Sequence, residues 1–180
     1  VRVVRSGLCE SVHLGHIAVC DAGGRLLAGV GDPDRTIFAR SSMKPLQAAV
    51  SLGTIDADLS EDLVAVLCAS HNGEPDHVRA VRRLLRAGHA AESALACPPA
   101  LPARHEDAHR AGRPRRIFHN CSGKHAGMVS ACVGAGWPVA TYLEPTHPLQ
   151  RAILRAVRRG TGVERPEIGV DGCGVPVHGM

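Results

Sequence analysis

Aromatic side chains are almost missing from this 180-residue chain, which has only Phe38, Phe118, Trp137 and Tyr142. A core must therefore be built from Ala, Val, Leu and Ile, and the composition argues against stacking platforms for single-stranded nucleic acid. Long apolar runs are missing too: none approaches the roughly 18 residues that span a membrane. No charged segment followed by an apolar one marks a signal peptide at the N-terminus. Charge of either sign is modest. The formal net charge is +4, and the arginines at 79–86 and 113–116 read as solvated helix faces and a loop rather than a nucleic-acid surface. Seven cysteines is an odd number, which argues for free thiols or metal ligands in a reducing cytoplasm rather than a disulfide framework.

What is present is globular. A hydrophobic fraction of 44% and a charged fraction of 21% suit one domain with its own core, or part of a larger one. The chain opens on Val1 and closes on Met180 just after a glycine-rich turn, so both ends are expected to be cut. Residues Val12–Cys20, the turn Asp21-Ala22-Gly23-Gly24 and Arg25–Val30 predict a β-hairpin. A helix is expected from about Ser42 to Leu52, closed by Gly53, and Ser60 should cap a second helix from Glu61 to Ala69 that is buried on most sides. Pro75 to Ala87 is strongly amphipathic, with Val78, Val81, Leu84 and Leu85 on one face. Beyond it, 96–116 reads as a loop with one short helix near 105–110. A small-residue helix is expected from Lys124 to Val133, an amphipathic one from Leu149 to Arg159, and a strand at Ile168–Val170.

Four places could carry chemistry. Ser41 and Lys44 stand three apart at a helix start, so Oγ and Nζ can share a face. A desolvated lysine could take the serine's proton and leave an alkoxide nucleophile, although Ser41 or Ser42 can equally cap the first turn beside an ordinary solvated lysine. His119-Asn120-Cys121-Ser122-Gly123-Lys124-His125 packs a thiol, an amine and an imidazole into a helix start. Spacing alone would pair Cys121 with His125 at a metal and add Cys173 or His178, and a buried structural cysteine is the alternative. Ser70-His71 lies in a polar turn after an apolar element, either a functional turn or a helix cap. Asp171 and Cys173 share a glycine-rich turn whose backbone a ligand could approach closely. The other five cysteines (Cys9, Cys20, Cys68, Cys97 and Cys132) sit in apolar or loop contexts and read as inert.

Taken in order, Ala39-Arg40-Ser41-Ser42-Met43-Lys44-Pro45-Leu46-Gln47, Cys68-Ala69-Ser70-His71, Asn120 to Met128 and Asp171-Gly172-Cys173-Gly174-Val175-Pro176 resemble the Rhizobium-type L-asparaginase family. The resemblance spans essentially the whole chain. It implies an α/β (α+β) fold like that of serine β-lactamases, with an antiparallel sheet and packed helices, and a single domain across 1–180. It implies hydrolysis of L-asparagine to L-aspartate and ammonia, with Ser41 as nucleophile, Lys44 as its base and Ser70 in the proton network. It further implies one zinc per chain on Cys121, Lys124 and Cys173, substrate contacts at Arg40, His125 and Asp171, and a homodimer for the full-length protein. Neither nucleic acid nor membrane is expected as a partner. Family members are longer and carry a further active-site lysine in a C-terminal half that this sequence does not include, so the second Ser-Lys pair is incomplete here. A penicillin-interacting serine hydrolase, a non-catalytic zinc module and an inactive truncated product remain as alternatives.

Overall fold

The helix from Ser122 to Gly134 sets glycines against its neighbours, and the larger part of the structure gathers round it. A computed structural model describes all 180 residues. The chain divides into two compact units, Val1–Ile37 and Phe38–Met180.

The first unit is two antiparallel hairpins. Strands β1 (Arg2–Arg5) and β2 (Leu8–Val12) pair across a turn in which Ser6 and Gly7 both take positive φ, as a two-residue hairpin turn requires. This hairpin has no counterpart in the sequence-based expectation. Strands β3 (Ile17–Cys20) and β4 (Leu26–Val30) form the expected second hairpin. The Asp21 carboxylate organises its turn by accepting from the Gly23 and Arg25 amides at 3.0 and 2.9 Å. Its first arm starts at Ile17 rather than Val12. Val12 already pairs with Arg2, and the His16 ring turns aside to accept the Asp32 amide at 2.7 Å.

The second unit is helical: α1 (Lys44–Leu52), α2 (Glu61–Cys68), α3 (Pro75–Ala87), α4 (His105–Ala111), α5 (Ser122–Gly134) and α6 (Pro148–Thr161). A last hairpin of β5 (Ile168–Val170) and β6 (Pro176–His178) follows. The protein is thus mixed helix and antiparallel strand, but its strands form three separate two-stranded sheets rather than one. Helix α3 buries the predicted Val78, Val81, Leu84 and Leu85. Helix α2 buries one face only, through Leu63, Val66 and Leu67. The fully buried helix is α5, with every side chain from Ser122 to Cys132 inside, packed on α1, α2 and α3.

One capping expectation is corrected and another holds in its position. Neither Ser41 nor Ser42 caps a helix. Pro45 has no amide to offer the Ser41 carbonyl, so the Lys44 amide takes that carbonyl three residues on, and Arg40–Met43 becomes a 3-10 turn before α1. Ser42 Oγ donates back to the Ala39 carbonyl at 2.5 Å. Ser60 does stand at the N-cap of α2, its carbonyl accepting the Leu63 and Val64 amides at 2.9 and 3.2 Å. Its hydroxyl donates to Asp62 at 2.6 Å and accepts from Arg83 at 3.2 Å instead of bonding a helix amide.

Glycines let α5 approach α2. A Cβ on Gly123 would fall on the Val66 carbonyl, whereas one on Gly127 would meet the tip of Leu67 at 2.7 Å. A backbone carbonyl in a helix cannot retreat and a leucine tip can. Gly123→Ala is therefore expected to cost about 3 kcal/mol and Gly127→Ala about 1 kcal/mol, the two ends of the range for overpacked cores. Urea denaturation of both variants checks this, and equal losses would contradict it.

Candidate active site

One cleft of about 240 Å³ in the helical unit collects most of the polar residues singled out by sequence. The 3-10 turn and the start of α1 bring Arg40, Ser41 and Lys44 to its wall. The entry to α5 brings His119, Asn120, Cys121 and Lys124, and the β5–β6 turn brings Asp171 and Cys173.

Lys44 is buried, with 2% of its surface exposed. No hydrogen bond joins it to Ser41. Its side chain runs to the end of α2, where Nζ donates to the Ala69 carbonyl at 2.8 Å and to Ser70 Oγ at 2.6 Å. Ser70 Oγ in turn donates to Ser41 Oγ at 3.1 Å. The serine–lysine pair is therefore a three-membered line, Lys44–Ser70–Ser41, closed across two helices. Burial lowers the Lys44 pKa against the pull of Cys121, with the nearby Lys124 adding to the lowering. That shift favours the neutral amine a base needs.

At the other end of the cleft, Lys124 Nζ donates to Asp171 Oδ2 at 2.7 Å and to Cys173 Sγ at 3.1 Å. Burial works to lower the Lys124 pKa, yet Cys173 and Asp171 together raise it, so this lysine is a cation. A hydrogen bond from Cys173 lowers Cys121 to about 5, with Lys124 and Lys44 assisting against desolvation. Cys121 is the more acidic of the two, and the single Cys173 thiol proton is shared between it and Asp171 Oδ1, 3.0 Å away. Burial alone would raise Asp171, but hydrogen bonds from Cys173 and Lys124 outweigh it and hold the carboxylate at about 2.

Asp171 lines the cleft but is fully engaged. Oδ1 accepts the Cys173 and Val175 amides, both at 2.9 Å, and the Cys173 thiol at 3.0 Å, and Oδ2 takes Lys124. Arg40 is the contrary case. It lines the cleft with a positive φ of 51° and makes no salt bridge. His125, an expected substrate contact, does not line the cleft. One step round the helix from Lys124, it is wholly buried, with Nδ1 against the Tyr142 hydroxyl at 2.6 Å and Nε2 without a partner. His178, weighed as a metal ligand, is also buried away from the cleft wall, in β6.

His119 and Asn120 were not singled out individually by sequence and do line the cleft. Their signal was position alone, immediately before Cys121. As to a metal, no three His, Cys, Asp or Glu side chains are grouped to hold one. An ion here would have to take Lys124 nitrogen beside the two cysteine sulfurs. Soft sulfur and nitrogen donors are chemically suited to zinc.

The sequence pattern of the L-asparaginase II family matches residues 1–180. The chain belongs to that family. No curated protein sequence matches it. The four motifs that carried the resemblance to an asparaginase family thus fall within a family match that spans all of them, and three of the four line the cleft. The fourth, at 68–71, supplies Ser70 and the buried His71. No helix is long and apolar enough to cross a membrane.

Two buried histidines set a pH dependence. Burial depresses His71 to about 4 and His125 to about 3 from an ordinary 6.5. On acidification the unfolded chain takes up these protons near 6.5, while the native chain waits until about 4 or lower. Stability is therefore complete above pH 6.5 and falls as pH drops toward 4, by up to about 1.4 kcal/mol per pH unit for each histidine. Urea midpoints measured between pH 8 and pH 4 check this; a flat profile would contradict it.

Proposed function

We propose that the protein is an amidohydrolase that converts L-asparagine to L-aspartate and ammonia by acyl transfer to Ser41. The observation that carries this reading is the line from Lys44 through Ser70 to Ser41 on the wall of the cleft, in a chain of the L-asparaginase II family. With Lys44 neutral, the hydroxyls turn so that Ser70 donates to the Nζ lone pair and Ser41 donates to Ser70. The Ser41 proton passes to Ser70 as the Ser70 proton passes to Lys44 Nζ. Ser41 Oγ then bonds to the side-chain carboxamide carbon. The Lys44 ammonium returns a proton along the same line to the departing nitrogen, the C–N bond breaks and ammonia leaves. Water attacks the resulting ester with the line again acting as base, which releases aspartate and restores Ser41.

Arg40, an unpaired cation beside the nucleophile, is suited to the α-carboxylate of asparagine. Asp171 acts on this reading through Lys124 and the hairpin turn rather than on the substrate. Cys121, Cys173 and Lys124 would hold a zinc ion, which when bound supplies a fixed positive charge that orients the substrate. Lys124 must lose its proton to bind it, so zinc uptake releases protons. A serine β-lactamase-like arrangement is part of the same reading, supported by a serine and a lysine at a helix start beside antiparallel strands. All seven cysteines are free thiols, which favours a reducing cytoplasm.

Ammonia release from L-asparagine tests the reading. Ser41→Ala is expected to lower kcat by about 10⁴-fold or more, and Lys44→Met or Ser70→Ala by about 10²- to 10⁴-fold, the range of a lost proton-transfer group. Turnover that survives in Ser41→Ala would overturn it. For the metal, Cys121→Ser is expected to bring bound zinc, read by elemental analysis, far below one per chain. Full zinc retention in that variant would place the ion elsewhere.

A further inference from the structure

His71 has a defined role for each of its polar atoms, and together they join two segments that the cleft depends on. Its main-chain amide donates to the Asn120 carbonyl at 3.1 Å. Ring Nδ1 accepts the Gly73 amide at 3.1 Å, so the neutral ring carries its proton on Nε2. Nε2 meets Ser122 Oγ at 3.0 Å, and the Ser122 hydroxyl is itself committed as a donor to the Ile117 carbonyl at 2.9 Å. The direction is thus fixed: ring to Ser122, Ser122 to Ile117. The ring is 4% exposed and lies flat against His77, 5.2 Å between centroids. At the same crossing Gly73, with φ of 69°, approaches the Phe118 carbonyl so closely that a Cβ would be in contact with it.

One of the two segments carries Ser70 and the other carries His119 to Cys121. Ser70 is itself exposed and has no packing of its own to hold its hydroxyl between Lys44 and Ser41. We propose that His71 is a positioning residue for the nucleophile: by binding the 70–73 turn to the 117–122 segment, it fixes Ser70 between Lys44 and Ser41. This rests on the proposed Ser41 chemistry, but concerns how the serine is activated rather than which amide it cleaves. His71 transfers no proton itself. Its effect falls on the rate at which Ser41 becomes a nucleophile and not on substrate affinity, which the Arg40 side of the cleft serves.

The test is the rate at which a fluorophosphonate probe labels Ser41, measured beside asparagine turnover and thermal unfolding. His71→Asn keeps an acceptor for the Gly73 amide but is too short to reach Ser122; Ser122→Ala removes the acceptor from the other side. Each is expected to slow labelling and lower kcat by about 10- to 100-fold, as a small displacement of a catalytic group does, with KM changed less than about twofold. The double variant should be no slower than the slower single, because one bridge is lost in both. If His71→Asn does not fold, Ser122→Ala decides by the same criteria. Wild-type labelling rates in folded variants, or losses that multiply in the double variant, would overturn the proposal. Labelling without asparagine turnover in the wild type would remove asparagine as substrate and leave His71 judged by the labelling ratios. A wild type that neither labels nor turns over would overturn both readings.

Discussion

A lysine buried among helices is the constraint on which the rest of this site depends. An ammonium taken out of water is costly unless every proton finds a partner, and Lys44 finds two, in the Ala69 carbonyl and the Ser70 hydroxyl. The first belongs to the residue just after α2, whose extended backbone leaves its carbonyl outside the helix and free to accept Lys44. Burial lowers the Lys44 pKa, so the position that makes the cation costly also readies the amine as a base. On the proposed reading, the geometry of α2 relative to α1 is part of the chemistry. Helix α5, with its glycines set against α2, holds the two in register.

The opposite end of the cleft solves a different problem with the same means. Lys124, Asp171, Cys121 and Cys173 share buried charge, and each fixes the protonation of the next. Asp171 accepts three hydrogen bonds from within the β5–β6 turn and one from Lys124. Arg40 is left as the cation of the cleft without a carboxylate partner. The two lysines thus divide the labour: one is a candidate base, the other a counter-charge or metal ligand.

Much of this was legible in the sequence, for reasons that differ by element. Helix α3 is unambiguous because Val78, Val81, Leu84 and Leu85 repeat at helical spacing against arginines. The Gly53 stop and the β5 strand are equally plain. The first hairpin was missed because Arg2–Arg5 and Leu8–Val12 are short and exposed, with little apolar alternation to mark them. The site residues came from ordered motifs, while their connections did not. Adjacency along the helix suggested Lys44 to Ser41, but the line runs through Ser70, some 30 residues away in sequence. His125 looked like a ligand by i, i+4 spacing with Cys121, yet Tyr142 claims it for the core, a partner no local pattern announces. His71 stayed open between a functional turn and a helix cap because its partner Ser122 lies 51 positions on.

The central claim is that Ser41 forms a covalent bond to the substrate's side-chain carbonyl carbon. An electrophilic diazoketone analogue of asparagine, followed by peptide mapping in a mass spectrometer, reads this directly. The account predicts one adduct per chain on the peptide containing Ser41, and none when Lys44 is replaced by methionine. An adduct on Cys121, with Ser41 unmodified, would contradict it.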